Sequence, residues 1–208
     1  MAVDVKVCGL VRPEDAATAA ASGAAYLGVV FAESARRVDA AVAASIVRAA
    51  GAVPVLAVFG TTDTRDILRA HGAAGFSGVQ LHGSHTLGDA HALQNAGLLV
   101  WRVARLGAFS DLDRLDATAE AADAVLIEPF VAHADGGAGV ALRLELAIAA
   151  RERLRGVRMV LAGGLRPETV RRTVALVAPD AVDVSSGVEI RPGVKHAARI
   201  ARFMEALA

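Results

Sequence analysis

The only cysteine of the 208-residue sequence, Cys8, ends the apolar run VDVKVC and is followed at once by glycine. Free cysteines often behave as small buried hydrophobes. Alternation along a strand, however, places Cys8 and Lys6 on one face and Val5 and Val7 on the other. Because a neighbouring cation lowers the pKa of a thiol below its ordinary value of about 8.5, this pattern favours a Cys8 that acts as base or nucleophile.

A carboxyl group that can work opposite this thiol is Glu128, which ends the apolar run DAVLIE. A carboxylic acid that gives a proton where a thiolate takes one forms a general acid–base pair. The alternative is a structural salt bridge from Glu128 to Arg102 or Lys6, since buried charges are usually paired.

Two turns have the composition of a phosphate site. The segments LAGGLRPE and VDVSSGVE each run from an apolar stretch into consecutive small residues, Gly163 and Gly164 in the first and Ser185, Ser186 and Gly187 in the second. Converging backbone N–H groups in such turns bind anions. Each motif alone is also compatible with an ordinary tight turn, but the two together favour phosphate binding.

Further polar residues stand near the ends of other apolar runs. The same strand alternation places Gln80, His82, Arg102 and Asp183 on the face that carries the thiol. Buried polar groups are either paired or functional, so we predict that they line one site and that Gln80, His82 and Asp183 contact substrate. A histidine at a strand end can equally bond a backbone carbonyl, which leaves the role of His82 open.

Two loops complete the candidate site. The segment FAESARRVDA carries Arg36 and Arg37, which are either solvated or available to bind a carboxylate through paired hydrogen bonds. The glycine-rich segment PFVAHADGGAGVALR is either a lid or a plain flexible loop. We predict no metal, because the remaining histidines lack ligand spacing: His71, His85, His91, His133 and His196.

Eight short apolar runs alternate with longer alanine-rich segments at helical spacing. Two of the helical segments have clear boundaries, one from Pro13 to Gly23 and one from Pro167 to Pro179. The eight predicted strands are 3–8, 26–31, 53–59, 76–81, 98–103, 123–128, 157–162 and 181–186.

Regular alternation to the end of the chain predicts an α/β fold, a single (β/α)8 TIM barrel with 1–208 as one domain. The alternative is an open doubly wound sheet, which more often has about six strands and a glycine fingerprint after the first. The first turn here, CGLVRPED, has no such fingerprint. In a barrel, the polar residues above lie at the carboxyl ends of the strands, where active sites form.

Composition limits the partners of the chain. Apolar residues make up 54% of the sequence, and 22 basic residues balance 22 acidic ones. This balance predicts neither nucleic-acid nor membrane binding and points to a small phosphorylated ligand held by a local site. A single cysteine and an amino terminus without a signal pattern predict a cytoplasmic protein. Both a monomer and a homodimer are compatible with the sequence.

Five motifs, in chain order, carry a resemblance to a known family: VKVCGL, LGVVFA, VQLHG, LAGGL and VDVSSGVE. Together they resemble phosphoribosylanthranilate isomerase of tryptophan biosynthesis, over essentially the whole chain. The resemblance implies an Amadori rearrangement of N-(5-phosphoribosyl)anthranilate without metal or organic cofactor. It assigns the base to Cys8, the ring-opening acid to Glu128, the anthranilate carboxylate to Arg36 and the phosphate to the two small-residue turns.

Three departures from the family pattern concern activity more than reaction type. First, Glu128 stands where the family has an aspartate. Second, the loop after strand 6 reads GGAGV, with Ala138 and Val140, where GGTGK is usual. Third, Ala35 and Arg37 alter the stiffness and charge of the strand 2 loop. These departures leave open a barrel that binds the ligand without turnover. A second alternative is the histidine-pathway isomerase, which performs the same rearrangement on a different phosphoribosyl amine. The latter family uses two aspartates and two similar half-barrels, each with its own phosphate turn.

Overall fold

The computed structural model describes residues 3–131 and 141–208. In these two ranges strands and helices alternate along the chain, as the apolar pattern predicts. The barrel strands are β1 Asp4–Val7, β2 Tyr26–Val30, β3 Val55–Phe59, β4 Gly78–Leu81, β5 Leu99–Leu106, β6 Ala124–Pro129, β7 Met159–Leu161 and β8 Ala181–Val184. A short hairpin follows, β9 Glu189–Arg191 and β10 Val194–Lys195. The helices are α1 Pro13–Ala21, α2 Ala40–Ala50, α3 Thr64–Ala74, α4 Leu87–Asn95, α5 Leu115–Ala119, α6 Leu144–Arg153, α7 Val170–Val177 and α8 Ala197–Glu205.

The eight strands β1 to β8 pair in chain order and close into a barrel, with β8 parallel to β1. Each crossover between parallel neighbours contains a helix, which covers the outer face of the sheet. The prediction of a (β/α)8 barrel is confirmed, and the open-sheet alternative is wrong. All eight strands point their carboxyl ends to the same mouth.

Local sequence sets several helix boundaries. Helix α1 begins with Pro13 in its first turn, and the chain leaves it through Gly23 at φ 91°. Helix α4 begins with a capping box, in which Thr86 and Asp89 each bond the backbone of the other. Helix α7 begins at Val170 rather than at Pro167, because Pro167 belongs to a turn that still leads away from β7.

The barrel lumen holds an apolar cluster below a layer of polar side chains. Leu56, Trp101, Leu126 and Val160 are buried in this cluster. The ammonium of Lys6 lies 5.7 Å from the centre of the Trp101 ring and forms the transition to the polar layer. The described part of the chain contains no helix with the length and hydropathy needed to cross a bilayer.

The position of Trp101 corrects one expectation. Since Trp101 points into the lumen, Arg102 points outward, and its guanidinium donates to the carbonyls of Ala117 and Glu120 beside α5. The large aromatic ring fills the lumen, because burying it removes more apolar area from water than burying the side chain of Arg102 would. The prediction that Arg102 faces the site is wrong.

Candidate active site

The first polar centre of the mouth is Lys6 on β1, which is completely buried. Its ammonium donates to Gln80 Oε1 at 2.8 Å and to Asp183 Oδ1 at 3.0 Å. Burial acts to lower the pKa of Lys6, but the charges of Asp183 and Cys8 outweigh it and raise the pKa above its ordinary value. Lys6 is therefore a fixed cation between strands 1, 4 and 8.

Cys8 follows β1 and lies at the same mouth. A Cβ atom added to Gly28 on the neighbouring strand would lie 2.7 Å from Cys8 Sγ and 3.1 Å from Lys6 Cε, so the thiol occupies space that only glycine leaves. Burial raises the pKa of Cys8, while Lys6 acts in the opposite direction and is outweighed. The sequence predicted that Lys6 would lower the pKa of Cys8 below its ordinary value, and this prediction is wrong. The site that holds Lys6 also excludes water from the thiol, and this loss of hydration disfavours the thiolate more than Lys6 favours it.

Glu128 lies across the mouth, near the end of β6. Its Oε1 accepts a hydrogen bond from Arg105 Nε at 3.0 Å and lies 3.6 Å from His82 Nδ1. Burial raises the pKa of Glu128, and Arg105 pulls it in the opposite direction. A carboxyl group with a raised pKa is protonated more often near neutral pH, as a general acid requires.

Arg105 is a site residue that the sequence analysis missed. The alternatives considered for a salt bridge to Glu128 were Arg102 and Lys6, whereas the actual partner is Arg105. Strand β5 extends to Leu106 rather than ending at residue 103, and its register pairs Arg105 with Glu128. The signal that could have found it is the two-residue step from Trp101 through Val103, which continues on the lumen face to Arg105.

The side chains of Gln80 and His82 connect the two sides of the mouth. Gln80 Nε2 lies 2.7 Å from His82 Nε2, and both residues are buried. Since Gln80 also accepts from Lys6, a chain of polar contacts runs from β1 through β4 to Glu128.

Arg36, in the loop after β2, makes a bidentate ion pair with Glu189, at 2.9 Å from Nε to Oε1 and 2.8 Å from Nη2 to Oε2. Lys195 donates to the same carboxylate at 2.8 Å and also to the backbone carbonyl of Cys8. Burial acts to raise the pKa of Glu189, but the two cations outweigh it and lower the pKa. Glu189 and Lys195 were missed as individual residues, although both lie in the motif VDVSSGVE and the segment after it.

The two small-residue turns lie side by side, after β7 and after β8. Gly163 and Gly164 have φ values of 101° and 63°, which only glycine adopts without strain. A Cβ atom on Gly187 would overlap the carbonyl oxygen of Leu165, so the second turn packs directly against the first. Ser185 and Ser186 lead into a short 3₁₀ turn at residues 186–188. Gly163 and Gly164 also line a cavity of about 590 Å³ beside the start of α7.

A smaller cavity, of about 60 Å³, lies at the centre of the mouth. Most of the predicted site residues line it: Cys8, Arg36, Gln80, His82, Glu128, Asp183 and Ser185. The structure thus brings Cys8, Glu128 and Arg36, the residues predicted to transfer protons and to bind a carboxylate, to one space. Ala138 and Val140 in the loop after β6, with most of the predicted lid, lie outside the described residues. The proposed absence of a metal stays a prediction.

Both the sequence and the fold are similar to those of known proteins. A family model described as N-(5'-phosphoribosyl)anthranilate (PRA) isomerase matches residues 5–206. The chain is 36% identical over 208 residues to an N-(5'-phosphoribosyl)anthranilate isomerase of Pseudomonas aeruginosa strain UCBPP-PA14, which covers 99% of this chain and 95% of the relative.

Solved structures agree with the sequence match. The phosphoribosyl anthranilate isomerase of Thermotoga maritima superposes with a TM-score of 0.88 at 31% identity, covering 99% of this chain and 98% of the other. A second structure, with a TM-score of 0.85, 31% identity and the same coverages, is such an isomerase in complex with reduced 1-(o-carboxyphenylamino)-1-deoxyribulose 5-phosphate.

Proposed function

The chain belongs to the N-(5'-phosphoribosyl)anthranilate isomerase family of tryptophan biosynthesis, and from this premise we propose how its own side chains carry out the reaction. N-(5-phosphoribosyl)anthranilate is isomerised to 1-(2-carboxyphenylamino)-1-deoxyribulose 5-phosphate. Net, one hydrogen moves from C2 to C1 of the sugar, so the enzyme needs one acid and one base but no redox partner. In our proposal Glu128 is the acid and Cys8 is the base.

The acid step opens the ribose ring. The protonated Glu128 carboxyl gives its proton to the ring oxygen, the bond between C1 and that oxygen breaks, and the nitrogen lone pair forms a protonated Schiff base. Burial favours the protonated carboxyl before the step, which supports this role. Afterwards Glu128 is a carboxylate that Arg105, at 3.0 Å, stabilises.

The base step removes the C2 proton. The Cys8 thiolate takes this proton, the C–H electron pair forms the C1–C2 double bond, and the Schiff base nitrogen becomes neutral. The resulting enol then tautomerises to the ketone as C1 gains a proton and the 2-hydroxyl loses one. The buried Lys6 ammonium supports the thiolate, because attraction between the two lowers the Cys8 pKa against the effect of burial.

Substrate binding is divided between two sides of the mouth. Arg36 is proposed to bind the anthranilate carboxylate, and the turns containing Gly163, Gly164 and Ser185 to Gly187 are proposed to bind the phosphate through backbone N–H groups. Gln80, His82 and Asp183 remain proposed substrate contacts; all three line the small cavity with Cys8.

The histidine-pathway alternative fits the described residues less well. Two half-barrels with similar phosphate turns would need a second anion site after β3 and β4. There the Ser84 backbone N–H donates to Thr61 Oγ1 at 3.1 Å, so this donor is already used. In addition, hydrogen bonds from Thr64 and Thr86 lower the pKa of Asp89 to about 2, which keeps a negative charge at the start of α4. A phosphate would be repelled there.

The observation that carries the proposal is the shared cavity of Cys8 and Glu128, with Arg36 on its wall. The test follows the loss of anthranilate-substrate fluorescence for the wild type, Cys8→Ser, Glu128→Ala and, as a matched exposed control, Glu145→Ala. Each site variant should lose about 10²- to 10⁴-fold in kcat, as removal of a general acid or base does, with an unchanged circular-dichroism spectrum. Wild-type rates in Glu128→Ala would rule out Glu128 as the acid.

The binding-only alternative predicts a different result. A purified wild-type protein with no turnover at micromolar enzyme, which still binds the reduced product analogue in calorimetry, would be a barrel without catalysis. We also propose that residues 1–208 work as one domain in the cytoplasm, as monomer or homodimer; a biosynthetic reaction on a phosphorylated small molecule supports that location.

A further inference from the structure

The carboxyl group of Glu128 is held through one of its two oxygens. Arg105 Nε donates to Oε1 at 3.0 Å, and His82 Nδ1 lies 3.6 Å from the same atom. Within the described residues, Oε2 has no hydrogen-bond partner, and it is not among the buried side-chain atoms left unpaired. The two oxygens of this carboxyl are therefore in different surroundings: Oε1 lies beside two nitrogen groups, and Oε2 accepts from no described donor, in a side chain that lines the small cavity.

We propose that Arg105 is a positioning residue for the reaction: by holding Oε1, it leaves Oε2 to carry the proton that opens the ribose ring. The inference rests on the proposed role of Glu128 as the acid. Arg105 lies on the neighbouring strand and acts through the carboxyl group rather than on the substrate.

The length of the side chain explains why a positioning residue is needed here. Glutamate is one C–C bond, about 1.5 Å, longer than aspartate, and it has one more rotatable bond. A carboxyl that can swing by that distance loses the alignment on which proton transfer depends. The register of β5 and β6 pairs Arg105 with Glu128, so the guanidinium is beside the carboxyl on the same face of the sheet.

The hydrogen bonds of Gln80 determine which ring nitrogen of His82 carries a proton. Lys6 can only donate, so the Gln80 oxygen faces it and the Gln80 amide nitrogen donates to His82 Nε2 at 2.7 Å. A neutral imidazole that accepts at Nε2 carries its proton on Nδ1, the atom nearest to Glu128 Oε1. Arg105 Nη2 lies 3.3 Å from Nδ1. Of the two residues, Arg105 alone donates to Oε1 at hydrogen-bond distance within the described residues, and His82 stands beside the same atom.

The charges around Glu128 predict a pH effect that a packing role would not produce. The charged groups that act on it are Arg105 from β5, Asp183 from β8 and Lys6 from β1, and His82, which follows β4, lies 3.6 Å from its Oε1. Arg105 lowers the pKa of Glu128 by charge and by hydrogen bond, against the raising effect of burial. Removing the guanidinium therefore raises the pKa of Glu128 and moves its titration to higher pH.

The experiment compares Arg105→Gln and Arg105→Lys with Arg102→Gln, a control on the same strand whose side chain faces outward. For Arg105→Gln we expect kcat to fall about 10- to 100-fold with a much smaller change in KM, because alignment is lost while the binding groups remain. Arg105→Lys keeps the charge without the directed Nε–H, so it should keep the Glu128 pKa near that of the wild type and still lose rate.

The Glu128 pKa is read directly from the ¹³Cδ chemical shift in glutamate-labelled protein, with Glu128→Gln to assign the signal. An upward shift in Arg105→Gln and none in Arg102→Gln supports the proposal. An unchanged pKa together with wild-type kcat in Arg105→Gln overturns it. If Arg105→Gln does not fold, Arg105→Met, which keeps the aliphatic stem, takes its place. Because the titration does not need turnover, it stays informative even if Glu128→Ala shows that Glu128 is not the acid.

Discussion

At the residue scale, burial acts on the two proposed proton-transfer groups with opposite consequences. It raises the pKa of Glu128, which favours the protonated acid, and it raises the pKa of Cys8, which disfavours the thiolate base. The same burial thus favours the protonated form of Glu128, which the acid step needs, and disfavours the ionised form of Cys8, which the base step needs. Lys6, held by Gln80 and Asp183, is the group that partly offsets this cost for Cys8.

The raised Cys8 pKa predicts the pH dependence of alkylation. The rate of reaction with iodoacetamide follows the thiolate fraction, so it should rise with pH and reach its midpoint above the ordinary thiol value of about 8.5. The measurement is the rate of mass increase at pH 6 to 10, in a protein whose only cysteine is Cys8. Limited access slows alkylation at every pH but does not move the midpoint, and a midpoint below 8 would contradict the assignment.

The residue types at the site could be predicted from sequence, but not all their directions. Cys8, Glu128 and Asp183 follow from strand alternation and line the predicted mouth. Arg102 and Arg105 lie an odd number of residues apart and must face opposite sides, and the sequence does not say which one faces inward. The choice is made by Trp101, whose ring fills the lumen and fixes the phase of the strand.

At the element scale, the proposed function depends on the turns as much as on the strands. The turn after β8 packs so closely on the turn after β7 that Gly187 has no room for a side chain. The corresponding turns after β3 and β4 are closed by side chains instead, through Thr61 and the capping box of α4. The proposed anion site is thereby confined to the turns after β7 and β8.

The cap of α4 predicts a pH-dependent contribution to stability. The pKa of Asp89 is about 2 in the folded protein, below its ordinary value of 3.8, so its contribution is present above that ordinary value and is lost as the pH falls toward 2. Asp89→Asn should lower the free energy of unfolding by about 1 kcal/mol at pH 7. Urea unfolding at pH 7, 4 and 3 should show the difference from wild type shrinking with acidity.

A matched control for this helix cap is Asp113→Asn, an exposed aspartate in the 3₁₀ turn 109–114. It should leave the urea midpoint unchanged at each pH. A difference between Asp89→Asn and wild type that stays constant from pH 7 to pH 3 would mean that the cap does not depend on the charge of Asp89.

Element boundaries were predictable where a residue acts on the backbone directly. Pro13 and Gly23 bracket α1 because one fixes φ and the other accepts a positive φ. Pro167 has the same chemistry but lies in a turn before α7, and β5 is longer than its apolar run suggested. Where the chain continues because its neighbours pair with it, local sequence carries no signal for the end.

At the scale of the whole molecule, the barrel is closed at β1 and β8 and secured there by Lys195. This buried ammonium, from the hairpin after β8, bonds Glu189 and the backbone carbonyls of Cys8 and Ser185. It thus joins the first strand to the last and holds both to the carboxylate that binds Arg36. Closure of the fold and arrangement of the site depend on the same side chain.

Lys195→Met tests this connection. It should lower the free energy of unfolding by about 3 kcal/mol, because a buried carboxylate loses a cation and two carbonyls lose a donor. The measurement is the urea unfolding curve, with Lys195→Arg as the charge-conserving comparison. A loss below about 1 kcal/mol would mean that Arg36 alone satisfies Glu189 and that the closure does not rely on Lys195.

The architecture was the most predictable level, because eight alternations of strand and helix leave few arrangements other than a closed barrel. The contacts that give the site its order were not predictable in the same way. Lys195 and Glu189 meet Arg36 across more than 150 positions of sequence, and nothing local to either end indicates the partner.

The alternation of β5 also determines which sequence changes the site tolerates. Trp101, Val103 and Arg105 share the inner face by their spacing alone, and β5 is the longest strand of the barrel. Loss of a single residue within it would turn the guanidinium outward and bring Leu106 to its place, although the apolar content of the strand would hardly change. The length of β5 is therefore as constrained as its outer face, where Val100, Ala104 and Leu106 are buried in the hydrophobic core.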